Sequence, residues 1–198
     1  MNAKRDEGTF HILIFGAAGT GATTLAEVLS DEMLDCPHVD LDEYMWLPSD
    51  PPYQERRSMD EVHKLVSDDI REFPAWIIST ASVAWLGDIE SLIDLAVFLW
   101  LPPDLRIARL ERRELLQLGS ERVASGGDLH EQSQAFLHWA SQYDNGSHPG
   151  WDRASHEQWI QRAPCPVLRL EEDMPVAVRI DRVRLALFDL KEGRGLNG

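Results

Sequence analysis

The feature that most constrains this chain is the order of three patterns near its start. An apolar run, His11-Ile-Leu-Ile-Phe15, passes into Gly16-Ala-Ala-Gly-Thr-Gly-Ala-Thr-Thr24 and then into Leu25-Ala-Glu-Val-Leu29. A short apolar run that ends at glycine reads as a buried strand, while apolar residues at Leu25, Val28, Leu29 and Met33 keep helical spacing. The glycines therefore form a turn from strand to helix. Gly16, Gly21 and Thr23 match the pattern G-x-x-x-x-G-K-[ST], with Ala22 where the pattern has lysine.

Three readings share this turn. In the first, its amides and the first turn of the helix bind phosphate through oriented donors and the helix dipole, with Gly16, Ala17, Gly19, Thr20, Gly21, Ala22, Thr23 and Thr24 as the contact set. In the second, Gly16-x-x-Gly19-x-Gly21 is a dinucleotide fingerprint and Asp40, about 20 residues on, is the ribose-binding acid. The third is a plain strand-to-helix connection. Against the second stands the lack of a Tyr-x-x-x-Lys pair, since Tyr44, Tyr53 and Tyr143 are followed four places later by Pro48, Arg57 and Ser147. For the first stands Thr23, whose position supplies a magnesium-binding hydroxyl that a dinucleotide site does not need.

Further apolar runs at 38–41, 76–79, 95–101 and 166–170 join the first, at 10–15, to give five expected strands. Helical patterns alternate with them, including Val62, Leu65, Val66 and Ile70, a helix at 104–118 entered through Pro103, and a last helix at 175–190. Such alternation predicts an α/β fold of three layers, a mainly parallel five-stranded sheet covered on both faces. With 198 residues and 43% of them hydrophobic, the chain suits one domain over its whole length, 1–198. Insertions are expected at about 44–74, with a proline-rich loop at 46–53, and at 119–150, with a helix at 130–143.

His38-Val-Asp-Leu-Asp-Glu-Tyr44 sets Asp40 and Asp42 two residues apart at a strand's end, on one face if the strand continues. One carboxylate can then hold magnesium while the other takes the proton of an attacking hydroxyl, the roles expected of Asp40 and Asp42. As solvated turn residues they would instead cap the following loop.

The net charge of −15 excludes nonspecific binding to nucleic acid or anionic membranes, both of which need a positive surface field. An anionic substrate must be met locally, and with Lys4, Lys64 and Lys191 the only lysines the task falls to arginine. Arg106, Arg109 and Arg113, with Arg112 adjacent, lie on one helical stripe by their spacing. Cys36 and Cys165 match no metal spacing, and neither do His130, Glu131 and His138. The first residues have no apolar signal core and no run approaches a membrane span, so a cytoplasmic monomer or homodimer is expected.

The order of strand, glycine turn, Asp-x-Asp strand, insertion, fourth strand and arginine-bearing helix resembles the small P-loop kinases: adenylate, shikimate and gluconate kinase and their relatives. More narrowly, residues 16–25, His38-Val-Asp-Leu-Asp-Glu-Tyr-Met-Trp46, Asp50-Pro-Pro-Tyr53 and Gly126-Gly-Asp-Leu-His-Glu-Gln132 resemble bacterial adenylate-kinase-like proteins, often labelled AAA-family ATPases, that lack the loop lysine. The resemblance implies a P-loop NTPase fold, ATP and Mg²⁺ as cofactors, and phosphate transfer to a small-molecule or nucleotide acceptor. It places Tyr53, Arg56 and Arg57 toward the acceptor, makes 119–150 a lid over ATP, and assigns Arg109 and Arg113, with Asp42, to catalysis. A noncatalytic nucleotide-binding pseudo-kinase is the alternative, and an NAD(P)-binding oxidoreductase the third reading.

Overall fold

The computed structural model describes residues 9–33, 35–49, 54–146 and 148–195. β1 (His11–Gly16) is six residues long and runs through the centre of the molecule. It is flanked by β3 (Trp76–Thr80) and β4 (Leu95–Leu99), both parallel to it, with Ile12 opposite Ile77 on one side and Leu95 on the other. β2 (His38–Asp40) pairs with β3, and β5 (Val167–Leu170) with β4. The order β2-β3-β1-β4-β5 is parallel throughout, as the alternation of patterns predicts.

Alternation along β1 sends successive side chains to opposite cores. Leu13 and Phe15 enter one core with Val62 and Val66 of α3 (Met59–Ile70) and Trp159 of α7 (Arg153–Arg162). Ile12 and Ile14 enter the other with Leu25 and Leu29 of α1 (Ala22–Glu32) and Val183 of α8 (Val176–Lys191). Burying a side chain of this size completely contributes about 1.5–3 kcal/mol, and every residue of β1 from Ile12 to Phe15 is fully buried, so the strand that leads into the glycine turn has little freedom to shift.

Two expectations are corrected. β2 is three residues long and gives way at once to the one-turn helix α2 (Leu41–Tyr44), so Asp42 stands on a helix and not on a strand face. The reason is local: the Asp40 side chain caps α2 by accepting from the Asp42 amide at 3.0 Å. β3 lies between β1 and β2, so Asp40 reaches the glycine turn across it. The strand at 95–101 stops at Leu99, before Pro102 and α4 (Pro103–Leu118).

The first insertion is a hairpin closed by Leu47 N donating to Glu55 O at 2.9 Å and Arg57 N donating to Met45 O at 2.8 Å, with α3 beyond it. A capping box between Ser58 and Glu61 starts α3. The second insertion holds α5 (Ser120–Val123), α6 (His130–Ser141) and a 3₁₀ turn at Tyr143–Asn145. No helix among the described residues is long and apolar enough to cross a membrane.

Candidate active site

The glycine turn leaves β1 at Gly16 and reaches α1 through two glycines with positive φ. At Gly19, φ is +85° and a Cβ would stand 2.6 Å from the backbone oxygen of Arg106, so only glycine lets the turn close against α4. At Gly21, φ is +92°, and this residue starts α1 without a side-chain cap. Side chains cap three helix starts, Asp40 at α2, Ser58 at α3 and Asp152 at α7, whereas α4, α5, α6 and α8, like α1, start without one. The open start of α1 leaves the amides of Ala22, Thr23 and Thr24 without intrahelical acceptors, a ring of donors at the positive end of the helix dipole. Inside the turn, Thr20 is buried and its amide and hydroxyl both donate to Ala17 O, which fixes the loop's shape.

Thr23 on the first turn of α1 donates its hydroxyl to Asp40 Oδ2 at 2.9 Å. The other oxygen of Asp40 caps α2, so this carboxylate ties the glycine turn to the end of β2 across the intervening β3. Asp42 lies one step further: its Oδ1 accepts from the Thr80 hydroxyl at 3.0 Å, and both its oxygens accept from Ala81 N at 3.2 Å. Burial, and then the Asp40 charge, push the Asp42 carboxyl up to about 7, against the pull of the Ala81 amide, Thr80 and the Arg113 guanidinium. Thr23, Asp40 and Asp42 thus come together as expected, though through a cap and a helix where strand alternation was anticipated. They sit beyond the carboxyl ends of β1, β2 and β3, the side of an open parallel sheet where ligands bind.

The same geometry bears on the dinucleotide reading. In a dinucleotide fold the ribose-binding acid ends the strand next to β1. Here that neighbour is β3, and both oxygens of Asp40 are engaged by Thr23 and Asp42.

Hard oxygen ligands suit magnesium, which takes one or two protein groups and fills its remaining positions with phosphate oxygens and water. The Thr23 hydroxyl and Asp40 carboxylate fit that need. No cluster of three or more acidic, histidine or cysteine side chains capable of holding a metal by themselves occurs among the described residues.

A narrow cleft with room for about one water molecule lies beside the turn, lined by Ala18, Ala81, Trp139, Ala140, Tyr143, His148 and Trp151. One wall is the glycine turn and the end of β3, the other the second insertion. His156 of α7 underpins it. The ring is buried, and since Ala81 O at 3.2 Å can only accept, Nε2 donates to it while Nδ1 accepts from the Tyr143 hydroxyl at 2.9 Å. Burial pushes the imidazole down to about 4, so it stays neutral at pH 7. Through Ala81 the insertion is therefore joined to the residue that fixes Asp42. Neither His156 nor Tyr143 carried a sequence signal, because their partners are Ala81 and each other, on separate elements.

The arginine stripe separates into three environments. Arg106 is fully buried; it donates to Leu101 O and Ala140 O, forms an ion pair with Asp144 at 2.7 Å, and lies over the Tyr143 ring. Arg109 is exposed and paired with Asp173 at 2.7 Å. Arg113 lies over the Phe136 ring at 5.7 Å and is the stripe's contributor to the field at Asp42. In the first insertion, the Arg57 guanidinium donates to Tyr44 O and Trp46 O, stapling the hairpin. Arg56 lies between the rings of Trp46 and Trp151, 4.6 and 5.2 Å from their centroids, and Trp151 lines the cleft. Tyr53 lies outside the described residues.

No protein-family model matches the chain. Over 173 residues it is 42% identical to the uncharacterized protein YqaC of Bacillus subtilis (strain 168), covering 87% of this chain and 94% of that one. Among solved structures it is similar to a shikimate kinase from Acinetobacter baumannii in complex with shikimate, with a TM-score of 0.52, 13% identity, and 92% and 94% of the two chains covered. It is also similar to a gluconokinase from Sinorhizobium meliloti 1021, with a TM-score of 0.50, 12% identity, and 96% and 97% covered. At such identities the likeness is one of fold.

Proposed function

Since the chain belongs to the same family as YqaC of Bacillus subtilis and has the fold of the small P-loop kinases, we propose that it is a magnesium-dependent phosphotransferase that moves the γ-phosphate of ATP to a small anionic acceptor bearing a hydroxyl. The observation that carries this reading is the 2.9 Å contact between Thr23 and Asp40, which puts a hydroxyl and a carboxylate together at an open helix start. Thr23 and Asp40 would hold magnesium there, and it would supply charge neutralisation for the triphosphate. The turn amides hold the phosphate oxygens, and Asp42 receives the proton of the acceptor hydroxyl as that oxygen bonds to the γ-phosphorus and ADP leaves. A carboxyl poised near neutrality is matched to that proton transfer.

An anionic acceptor is supported by how two cations are kept. In a chain of charge −15, the guanidiniums of Arg56 and Arg113 make no hydrogen bond or ion pair among the described residues and are oriented by aromatic faces instead. Such a cation keeps its donors available for a carboxylate or phosphate.

Ala22 supports one second reading, a protein that binds the nucleotide without turning it over, because no lysine reaches the phosphates from inside the loop. A thermal-shift series with ATP, GTP and NAD, each with and without Mg²⁺, followed by transfer of labelled γ-phosphate to hydroxy acids, sugars and nucleotides, separates the readings. The kinase reading expects stabilisation by ATP with Mg²⁺ and label on an acceptor. Stabilisation without transfer leaves the nucleotide-binding protein; a stronger response to NAD than to ATP overturns both.

A further inference from the structure

Beneath the glycine turn lies a cation that the sequence gives no reason to notice. Arg179, on the first turn of α8, is 2% exposed, and its Nη1 donates to the backbone oxygen of Thr20 at 2.7 Å. Nη2 makes one long bond, 3.4 Å, to Glu172 O, and the buried Nε has no partner among the described residues. Its neighbouring charges are Arg109 and Asp173, and they are already paired with each other. Burial and the Arg109 charge both disfavour its protonated form. A buried guanidinium that meets only carbonyl oxygens is costly unless an anion comes within its field.

The contact with Thr20 shows where that anion would sit. The Thr20 carbonyl and the Gly21 amide belong to one planar trans peptide, so they point in opposite directions. With the carbonyl turned to Arg179, the Gly21 N–H is turned away from it, and a cation bonded to the carbonyl polarises that amide and makes it a stronger donor. A Cβ on Gly21 would stand 3.4 Å from Nη1, so the guanidinium lies directly behind the residue that opens α1.

We propose that Arg179 is the positioning residue that supplies, through the Thr20–Gly21 peptide, the positive charge that Ala22 does not bring to the phosphate-binding turn. This rests on the turn's being a phosphate site, as read above. Arg179 acts from outside the loop on its backbone, where a loop lysine would act from inside on the phosphate itself.

The test is calorimetric titration of the full chain with two probes, MgATP and tripolyphosphate, the second carrying no base or sugar. Arg179→Gln keeps a donor for Thr20 O and removes the charge; it is expected to lose on the order of 10- to 100-fold in affinity for both probes. Arg179→Lys, which keeps the charge, is expected to lose much less. Ala22→Lys added to Arg179→Gln should restore most of the affinity, an effect that a purely structural role for Arg179 does not produce. Should Arg179→Gln fail to fold, Arg179→Met carries the same comparison, because an apolar chain of similar length is tolerated where a buried charge was. Neutral variants that bind within twofold of wild type, or remain weak when Ala22→Lys is added, overturn the inference. Wild-type protein that binds neither probe overturns the phosphate-site reading, and this inference with it.

Discussion

The two ends of the cleft are made of different material. The glycine turn presents backbone amides, set by two positive-φ glycines and by a strand that is fully buried from Ile12 to Phe15. At the other end the surfaces are indole, phenol and imidazole, and Arg56 rests on one of those indoles, Trp151. On the proposed reading the turn meets phosphate, the same anion in every nucleotide, so a main-chain cradle backed by the charge of Arg179 serves where Ala22 stands in place of lysine. An acceptor must be told from its competitors, which takes side chains with particular shapes and donors.

The comparison is broken most severely at the junction of the ends. Asp42→Asn is expected to lower turnover about 10²- to 10⁴-fold with ATP affinity near wild type, measured by steady-state kinetics beside calorimetry. Equal loss of binding would place Asp42 in the cradle and erase the division. Next comes Arg113→Ala, expected to cost about 10²- to 10³-fold in kcat as a lost electrostatic donor. Arg109→Ala is the control, because its exposed pair with Asp173 leaves it little to give. If the two variants lose turnover equally, the stripe acts as a whole and the separation drawn among its arginines is wrong.

A smaller effect is read from pH. His156 is neutral in the folded chain, where its pKa is about 4, whereas in the unfolded chain it binds a proton near 6.5. Between those values the unfolded state holds more protons, so stability falls as pH drops from about 6.5 toward 4, by up to about 3 kcal/mol. Urea unfolding of wild type against His156→Gln should show the two curves separating most near neutral pH and converging in acid. Parallel curves would mean that the ring titrates alike in both states. The smallest effect belongs to Arg56→Ala, which should raise the acceptor KM about tenfold with kcat and the KM for ATP nearly unchanged. A change in the ATP value would move Arg56 to the other end of the cleft.

How much of this the sequence disclosed follows from how local each signal is. The β1–turn–α1 unit, Thr23 and the Asp40–Asp42 pair are written in contiguous residues, and periodicity or glycine spacing reveals them. The face argument for the two carboxylates was mistaken in its geometry because Asp40 caps α2, and a cap three residues into a short strand looks like more strand. Spacing in α4 located Arg106, Arg109 and Arg113 on one stripe but could not distinguish the buried member, since Arg106 is neutralised by Asp144, 38 residues away. Arg179 is further still from its partner, 159 residues from Thr20, and within α8 it occupies what reads as an ordinary polar position. α7 was not anticipated as a helix: its buried face is carried by His156 and Trp159, too few apolar residues to mark a period.

The Tyr143–His156–Ala81 link has an evolutionary consequence. Tyr143 borders the cleft, His156 lies in the core, and Ala81 is the residue whose amide holds Asp42. A relative that replaces Tyr143 with a residue lacking a hydroxyl leaves Nδ1 of the buried ring without a donor, and one that replaces His156 strands the carbonyl of Ala81. Neither step is neutral alone. Across the family positions 143 and 156 should therefore covary, exchanging as a pair while the rest of the second insertion diverges freely, and inheritance of the pair should track retention of an acid at position 42 more closely than any resemblance in the residues between them.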